Sequence, residues 1–487
     1  MPRIIFHIDV NSAFLSWSAV KLVMEGKPDI RLVPSVVSGD PNDRRSIITA
    51  ASIPAKKLGI KTAQPVSMAL RTCPSLVLVR GDWEWYKRCS EGFIAICRSY
   101  SPVLQQFSID ECFIDMTLRC GGRDPVVIAT QLKDEIKAKL GFTVNVGIGS
   151  NKLLAKMASD FEKPDKVHTL WENEVQEKMW PLGVRDLLWV GKKTEERLTA
   201  YGIHTIGDLA KLGMGSLTRL VGQKFAIQLH ENANGRDDSP VETEMAEAKS
   251  YSAERTFPHD YTDPKDIDRA LFNVACIVAH RIRRDDFRAS TVSMFIKHKD
   301  FTVMQKQTSL SQPTDITAVI LNEARRMLGE IWDGVTPIRQ VGLGVSKLTH
   351  ESYEQMSLFE DPKMEYYREW DRQYDEQRAQ AEDARMLAYE RKTAPVEAPP
   401  PPTIPPQAYT PKRNSGASSV RQSTPKDDAL VFTYDSGEKA LAAAKKAIKG
   451  HPTYRFHRAT LPDGTDCFEV VEDQKTLERH TVTKKNR

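Results

Sequence analysis

Two acidic strand ends constrain this chain more than any other feature. The apolar and β-branched run from Ile4 to Val10 closes on Asp9, within Phe6-His7-Ile8-Asp9-Val10-Asn11. About a hundred residues later, Ser108-Ile109-Asp110-Glu111-Cys112-Phe113 lies between two further strand patterns, Val103 to Phe107 and Cys112 to Met116. If these strands are neighbours, Asp9, Asp110 and Glu111 converge at one end of a sheet. Three carboxylates so placed repel one another unless cations occupy the site, and hard oxygen ligands favour Mg²⁺ or Mn²⁺. Two such ions about 4 Å apart are a device for in-line displacement at phosphorus. In isolation, an acidic turn between strands reads more readily as a solvated hairpin tip.

The flanking pattern supplies a frame. From Asn11 to Lys21 the spacing of Phe14, Trp17, Ser18 and Leu22 predicts a helix capped by Asn11 or Ser12, whose first amides face the same sheet end and suit phosphate oxygens. Between residues 39 and 65 a Gly39-Asp40 turn, the basic pair Arg44-Arg45 and the run Ile47 to Ala51 precede a short helix stopped by Gly59. Asp124-Pro125 opens a helix with Ile128, Leu132, Ile136 and Leu140 on one face, stopped by Gly141. Phe142 to Ile148 is a strand. Asn151 to Asp160 is a helix with Lys152 and Lys156 on one face. The order is βαββαβ, a ferredoxin-like palm.

These residues, with Gly149-Ser150-Asn151-Lys152-Leu153-Leu154-Ala155-Lys156-Met157-Ala158-Ser159-Asp160, closely resemble the Y-family translesion DNA polymerases, the group of DNA polymerase IV, over roughly residues 3 to 360. The resemblance implies that Asp9, Asp110, Glu111 and the backbone carbonyl of Val10 bind two Mg²⁺ ions, with Mn²⁺ a possible substitute, and that Asp9, Asp110 and Glu111 are catalytic. It implies that Phe14 is a steric gate against ribose; from the residues alone, Phe14 reads as core packing on an amphipathic helix. It implies that Lys56 and Lys156 hold the incoming triphosphate, where the residues alone suggest solvated lysines. One departure matters. The family's Tyr-x-Ala-Arg element is here Ile53-Pro54-Ala55-Lys56, which lacks the phenol and the bidentate fork of arginine. Ala13 is a second departure, at a position where an aromatic is common. Weaker nucleotide binding than the family norm is the expectation.

Downstream, Leu188-Trp189-Val190-Gly191-Lys192-Lys193-Thr194 and Ile206-Gly207-Asp208-Leu209 look like a helix-hairpin-helix, in which Gly191, Lys192 and Lys193 would meet DNA phosphates. A glycine usual in such hairpins is replaced by Trp189 or its neighbour. From Lys249 to Leu348 a second βαββαβ pattern carries Arg281, Arg283, Arg284 and Arg288 in a cluster, with Lys297, Lys299 and Arg339 near strands. A charge cluster alone is a solvated face. By resemblance this is the little finger, with Arg281, Arg284 and Arg339 at duplex phosphates. Gln355-Met356-Ser357-Leu358-Phe359 resembles the bacterial sliding-clamp peptide, with Gln355, Leu358 and Phe359 as its contacts.

The expected organisation is thus an α+β multidomain right-hand polymerase: palm 1–12 and 76–170, fingers 13–75, helical thumb 171–240 with its helix-hairpin-helix, little finger 247–350 and clamp peptide 355–359. A C-terminal extension follows, with a charged helix 363–392, a Pro-, Ser- and Thr-rich disordered linker 393–427 and a βαββ module 428–476 without an assigned role. A net charge of +4 requires DNA contact through local patches. Seven cysteines without a C-x-x-C pair argue against zinc and disulfides and for a reducing compartment. The chain carries no signal peptide and no run of about 18 apolar residues. The expectation is therefore a cytoplasmic, nucleoid-associated monomer without a membrane partner, acting on primer-template DNA and dNTPs and tethered to the sliding clamp. It would perform low-fidelity synthesis past damaged bases. The alternative is a weak or inactive relative serving as a DNA- and clamp-binding mutasome subunit.

Overall fold

The computed structural model describes residues 3–39, 46–244, 247–350 and 362–393, together with four C-terminal strands. Strand β1 (Ile5–Val10) is buried along its length and leads through a tight turn into helix α1 (Ala13–Met24). A small antiparallel and parallel sheet follows, from β2 (Ser35–Ser38), β3 (Ile48–Ala51), the short helices α2 (Ile53–Lys57) and α3 (Val66–Thr72), and β4 (Val77–Arg80). Its order is β3-β2-β4, with β4 parallel to β2, so this fingers sheet runs past the expected limit of residue 75. Helix α4 (Trp83–Tyr100) is the largest element the sequence pattern did not assign. Asp82 caps it by accepting from the Trp85 amide, and Tyr86, Cys89, Phe93, Ile94 and Cys97 form its buried face.

The palm sheet is completed by β5 (Leu104–Gln106), β6 (Glu111–Asp115), helix α5 (Pro125–Leu140), β7 (Val144–Gly149), helix α6 (Lys152–Asp160) and β8 (Val167–Leu170). The strand order is β5-β6-β1-β7-β8, one strand more than the expected βαββαβ core. β1 is central and antiparallel to both β6 and β7, which places Asp9 opposite Glu111. Helix α6 lies against β7 because β7 has glycines there. A Cβ on Gly147 would stand 1.9 Å from the Ala155 carbonyl oxygen, and one on Gly149 would stand 2.7 Å from the Ala155 nitrogen. This close approach brings the face of α6 that carries Lys156 and Ser159 over the acidic end of β1 and β6.

The thumb packs α7 (Lys192–Thr199), α8 (Ile206–Lys211), α9 (Met214–Val221) and α10 (Gln223–Ala233) around a core of Leu187, Leu198, Ile206, Leu209, Leu217 and Leu229. The little finger is the expected second βαββαβ unit: β9 (Ser250–Tyr261), α11 (Pro264–Arg284), β10 (Arg288–His298), β11 (Val303–Thr314), α12 (Thr317–Ile331) and β12 (Ile338–Thr349). Its strand order is β11-β10-β12-β9.

The charged helix is present as α13 (Pro362–Thr393), and it is docked on the little finger. The carboxylate of Asp371 is buried and accepts from the Thr317 amide at 3.0 Å and the Thr317 hydroxyl at 2.5 Å. Asp375 takes Arg283 on both oxygens, at 2.6 and 2.9 Å, and lies 2.8 Å from His280 Nδ1. Arg283 therefore belongs to an internal ion cluster rather than to the solvated face that the run of arginines suggests.

In the C-terminal unit, β13 (Leu430–Tyr434), β14 (Arg455–Thr460), β15 (Asp466–Glu472) and β16 (Lys475–Val482) form a sheet of order β13-β16-β15-β14. The last strand extends the expected βαββ module past residue 476. The helix of the expected βαββ module, most of the 393–427 linker, the clamp peptide 355–359 and Arg44-Arg45 lie outside the described residues. The six described cysteines are free and buried. Among the described residues, no helix is long and apolar enough to cross a membrane.

Candidate active site

Three carboxylates meet at one end of the palm sheet. Asp9 and Glu111 are cross-strand partners, and the Val10 amide donates to the Asp110 carbonyl at 2.9 Å, so the hairpin before β6 is stitched directly onto β1. Ser108 organises that hairpin. Its hydroxyl accepts from the amides of Asp110 and Glu111 and donates to Asp110 Oδ1 at 2.7 Å. Burial, then the charges of Asp9 and Glu111, push the Asp110 carboxyl above the ordinary carboxylate range despite the Ser108 bond. The donor set is all hard oxygen with surplus negative charge, which fits a divalent cation such as Mg²⁺.

Lysines answer part of that charge. Lys156 Nζ lies 2.6 Å from Glu111 Oε2, and Lys163 Nζ lies 2.5 Å from Asp9 Oδ2 and 2.7 Å from Asp160 Oδ1. Burial alone would raise the Glu111 carboxyl, but hydrogen bonds from His7 and Lys156 outweigh it and hold the pKa at about 2. His7 is fully buried, with Nε2 2.9 Å from Glu111 Oε2 and Nδ1 2.8 Å from the Ser159 hydroxyl. Burial lowers its pKa against the pull of Glu111, and Nε2 donates to the carboxylate, which can only accept. For Lys163, the attraction of Asp9 and Asp160 overcomes the cost of burial and raises the pKa.

Lys163 was missed in the sequence because it sits in the loop after α6, outside any periodic pattern. His7 and Ser108 lie inside the two acidic runs, where no local pattern marks a role for either. Lys56, which was singled out, does reach the site. Its ammonium donates to Ser12 Oγ at 2.8 Å, and burial, then the like charge of Lys163, lowers its pKa. Ser12 holds a left-handed backbone (φ 48°) in the turn between β1 and α1. Ile53, one turn before Lys56, is 45% exposed. Phe14 is half-buried and stacks on Tyr86 with centroids 4.9 Å apart, beside Trp17 and Trp83. The packing reading of Phe14 thus holds: its ring is part of the aromatic group on the core.

The remaining candidates are spread more widely. Gly191 is the N-cap of α7, and the Lys192 side chain is 76% exposed. Lys193 follows it on the first turn of that helix. Trp189 takes φ +76°, the conformation a glycine would adopt in the hairpin, and is 54% exposed. Arg281 donates to the Ser252 carbonyl at 2.6 Å, Arg284 forms a two-point pair with Asp285, and Arg339 lies 4.6 Å over the Phe301 ring. Arg281 and Arg284 occupy the last turn of α11, whereas Arg339 is on β12.

Residues 8–160 match the impB/mucB/samB family, residues 248–358 match that family's C-terminal domain, and residues 185–237 match the DNA polymerase-iota thumb domain. DNA polymerase IV of Clostridium acetobutylicum is 38% identical over 362 residues, covering 74% of this chain and 91% of that protein. DNA polymerase IV 1 of Bacillus subtilis is 34% identical over 369 residues, covering 74% and 87%. A solved chimera of the Y-family DNA polymerases Dbh and Dpo4 superposes with a TM-score of 0.61 at 22% identity, over 72% of this chain and all of that one.

Proposed function

Because this chain belongs to the impB/mucB/samB family of Y-family translesion DNA polymerases and is a DNA-directed DNA polymerase, we propose that it synthesises DNA with low fidelity by two-metal nucleotidyl transfer at Asp9, Asp110 and Glu111. The observation that carries this reading is the convergence of these three carboxylates with Lys56, Lys156 and Lys163 at one sheet end. Asp9, Asp110, Glu111 and the Val10 carbonyl would hold two Mg²⁺ ions, with Mn²⁺ a possible substitute. Bound there, the ions supply Lewis acidity toward the primer 3′-hydroxyl and the triphosphate oxygens.

The protein's own groups do the rest. His7 and the hairpin bonds of Ser108 hold Glu111 and Asp110 beside Asp9 before substrate arrives. Lys156 and Lys163, paired with Glu111 and Asp9 in the free protein, would transfer their donors to the oxygens of a triphosphate bound beside those carboxylates. Lys56, beside Ser12, adds a point charge without a bidentate fork. The Phe14 ring would exclude a ribose 2′-hydroxyl. A fingers domain built on helices of five and seven residues offers little surface to police the nascent pair, which supports low fidelity.

Gly191, Lys192 and Lys193, with Arg281, Arg284 and Arg339, would take duplex phosphates. Gln355, Leu358 and Phe359 would bind the bacterial sliding clamp and tether a monomeric enzyme; Leu358→Ala plus Phe359→Ala should abolish clamp affinity, and unchanged affinity rejects the assignment. Primer extension with Mg²⁺ and four dNTPs tests the whole. Extension is expected from the unaltered protein and none from Asp110→Ala plus Glu111→Ala. No extension by the unaltered protein, with or without clamp, defeats the proposal.

A further inference from the structure

A cleft of about 460 Å³ opens between the palm hairpin that carries Asp110 and the thumb hairpin that precedes Gly191. Its volume falls within the range of small-ligand sites, roughly 300–1,000 Å³. Phe107 stands on the palm side, 41% exposed and braced edge-on against Phe113 at 5.5 Å. Trp189 stands on the thumb side, also exposed, in a backbone conformation that a bulky side chain rarely adopts. Asn232 lines the same space. Only 8% of it is exposed, yet its side-chain amide makes no hydrogen bond among the described residues. The amide is not among the buried polar atoms left without a partner, so it opens onto the cleft, where water or a polar ligand edge can meet it. Gln228 adds a second amide from the next turn of α10.

Two aromatic rings with amide edges suit a planar, hydrogen-bonding heterocycle. Proteins hold unstacked bases in this way, stacked on aromatic rings and read along their polar edges. The charges narrow the choice. Lys152 and Arg236 line the cleft together with Glu231, Asp237 and Asp238, so its balance is slightly acidic and unfavourable for a triphosphate. An uncharged base with a single backbone phosphate near Lys152 or Arg236 fits better.

We infer that the Phe107–Trp189 cleft receives an unpaired, extrahelical base of the primer strand just behind its 3′ end. This rests on the reading that Asp110 and Glu111 hold the primer terminus and that the Gly191 hairpin holds its duplex, because the cleft lies between the two. Housing such a base keeps a slipped primer extendable, and each slip so accommodated leaves one extra nucleotide in the product.

The test uses the full chain and primer-templates with 2-aminopurine either paired or as a one-nucleotide bulge in the primer strand. Stacking should quench the bulged base on binding, and the bulged duplex should bind about tenfold tighter than Trp189→Gly allows. Glycine accepts φ +76° without strain, so that variant removes the ring and keeps the hairpin. Asn232→Leu, outside the hairpin, should weaken bulge binding severalfold with paired affinity unchanged. Equal loss on paired and bulged duplexes, or no quenching, overturns the inference. So does saturation of the cleft by free 2-aminopurine deoxyriboside at the same concentration, which would make it a nucleoside pocket. Extension of the paired primer separates the outcomes: its absence refutes the polymerase mechanism, whereas its presence without a bulge effect refutes only the cleft.

Discussion

Lys163 Nζ sits 2.5 Å from Asp9 Oδ2, a contact made across 154 residues of chain at the end of β1. The ammonium also bonds Asp160, so it is held over the acidic centre from the loop after α6. A lysine in that position balances the charge of Asp9 in the free protein, and under the proposed mechanism it would turn to the triphosphate when nucleotide binds. Lys163→Ala should therefore raise the nucleotide KM by about 10- to 100-fold, the worth of one charge-assisted hydrogen bond of about 1.5–3 kcal/mol. Steady-state primer extension reads this directly. An unchanged KM would remove Lys163 from the site.

Ile53 and Lys56 leave the triphosphate less well held than a phenol and a guanidinium would. Lys56 already reaches Ser12 at the turn after β1, and Ile53 is exposed on the first turn of α2, so both positions admit larger polar groups. Ile53→Tyr plus Lys56→Arg should lower the nucleotide KM severalfold with little change in kcat. If KM does not fall, the departure from the family element has no cost.

Glu111 gives a pH signature in the metal-free protein. Its pKa is held at about 2 by His7 and Lys156, below the unfolded value of about 4.3. A depressed carboxyl stabilises the fold above the unfolded pKa, and that stability is lost as pH falls toward 2. The contribution is about 3 kcal/mol at neutral pH, as an order of magnitude. In acid titrations followed by circular dichroism without metal, Glu111→Gln should flatten the loss of stability between about pH 4.3 and 2. Parallel curves for the two proteins would contradict the assignment.

Arg283 links α11 to α13 through Asp371 and Asp375. Removing one partner of a buried pair costs about 3–5 kcal/mol, because the other charge is stranded. Arg283→Ala should release α13, exposing residues 363–381 to limited proteolysis while the little finger stays folded. Protection equal to that of the unaltered protein would show that Trp370, tilted against Phe272 at 5.8 Å, holds the helix by itself.

Local pattern carried much of the architecture. Strands that end in Asp9 and Asp110-Glu111, glycine stops at Gly59 and Gly141, and two βαββαβ repeats are written in short windows, where side-chain periodicity and turn chemistry act. Helix α4 leaves a weak local mark because its buried face mixes Tyr86, Ser90 and two cysteines with only Phe93 and Ile94. Strand β4 was placed in the palm because its pairing with β2 spans about forty residues and leaves no local mark.

By itself, then, the sequence determined which residues could be acidic ligands, which runs become strands and helices, and that the parts follow a polymerase order. Tertiary structure alone decided which cation meets which carboxylate. Lys163 reaches Asp9, Lys156 reaches Glu111, and Arg283 turns to α13, each through contacts between residues 45 to 154 positions apart. The reason is physical. Propensity and periodicity act within a turn or a strand, whereas ion pairs depend on distances that exist only once β1, β6, β7 and α6 have packed.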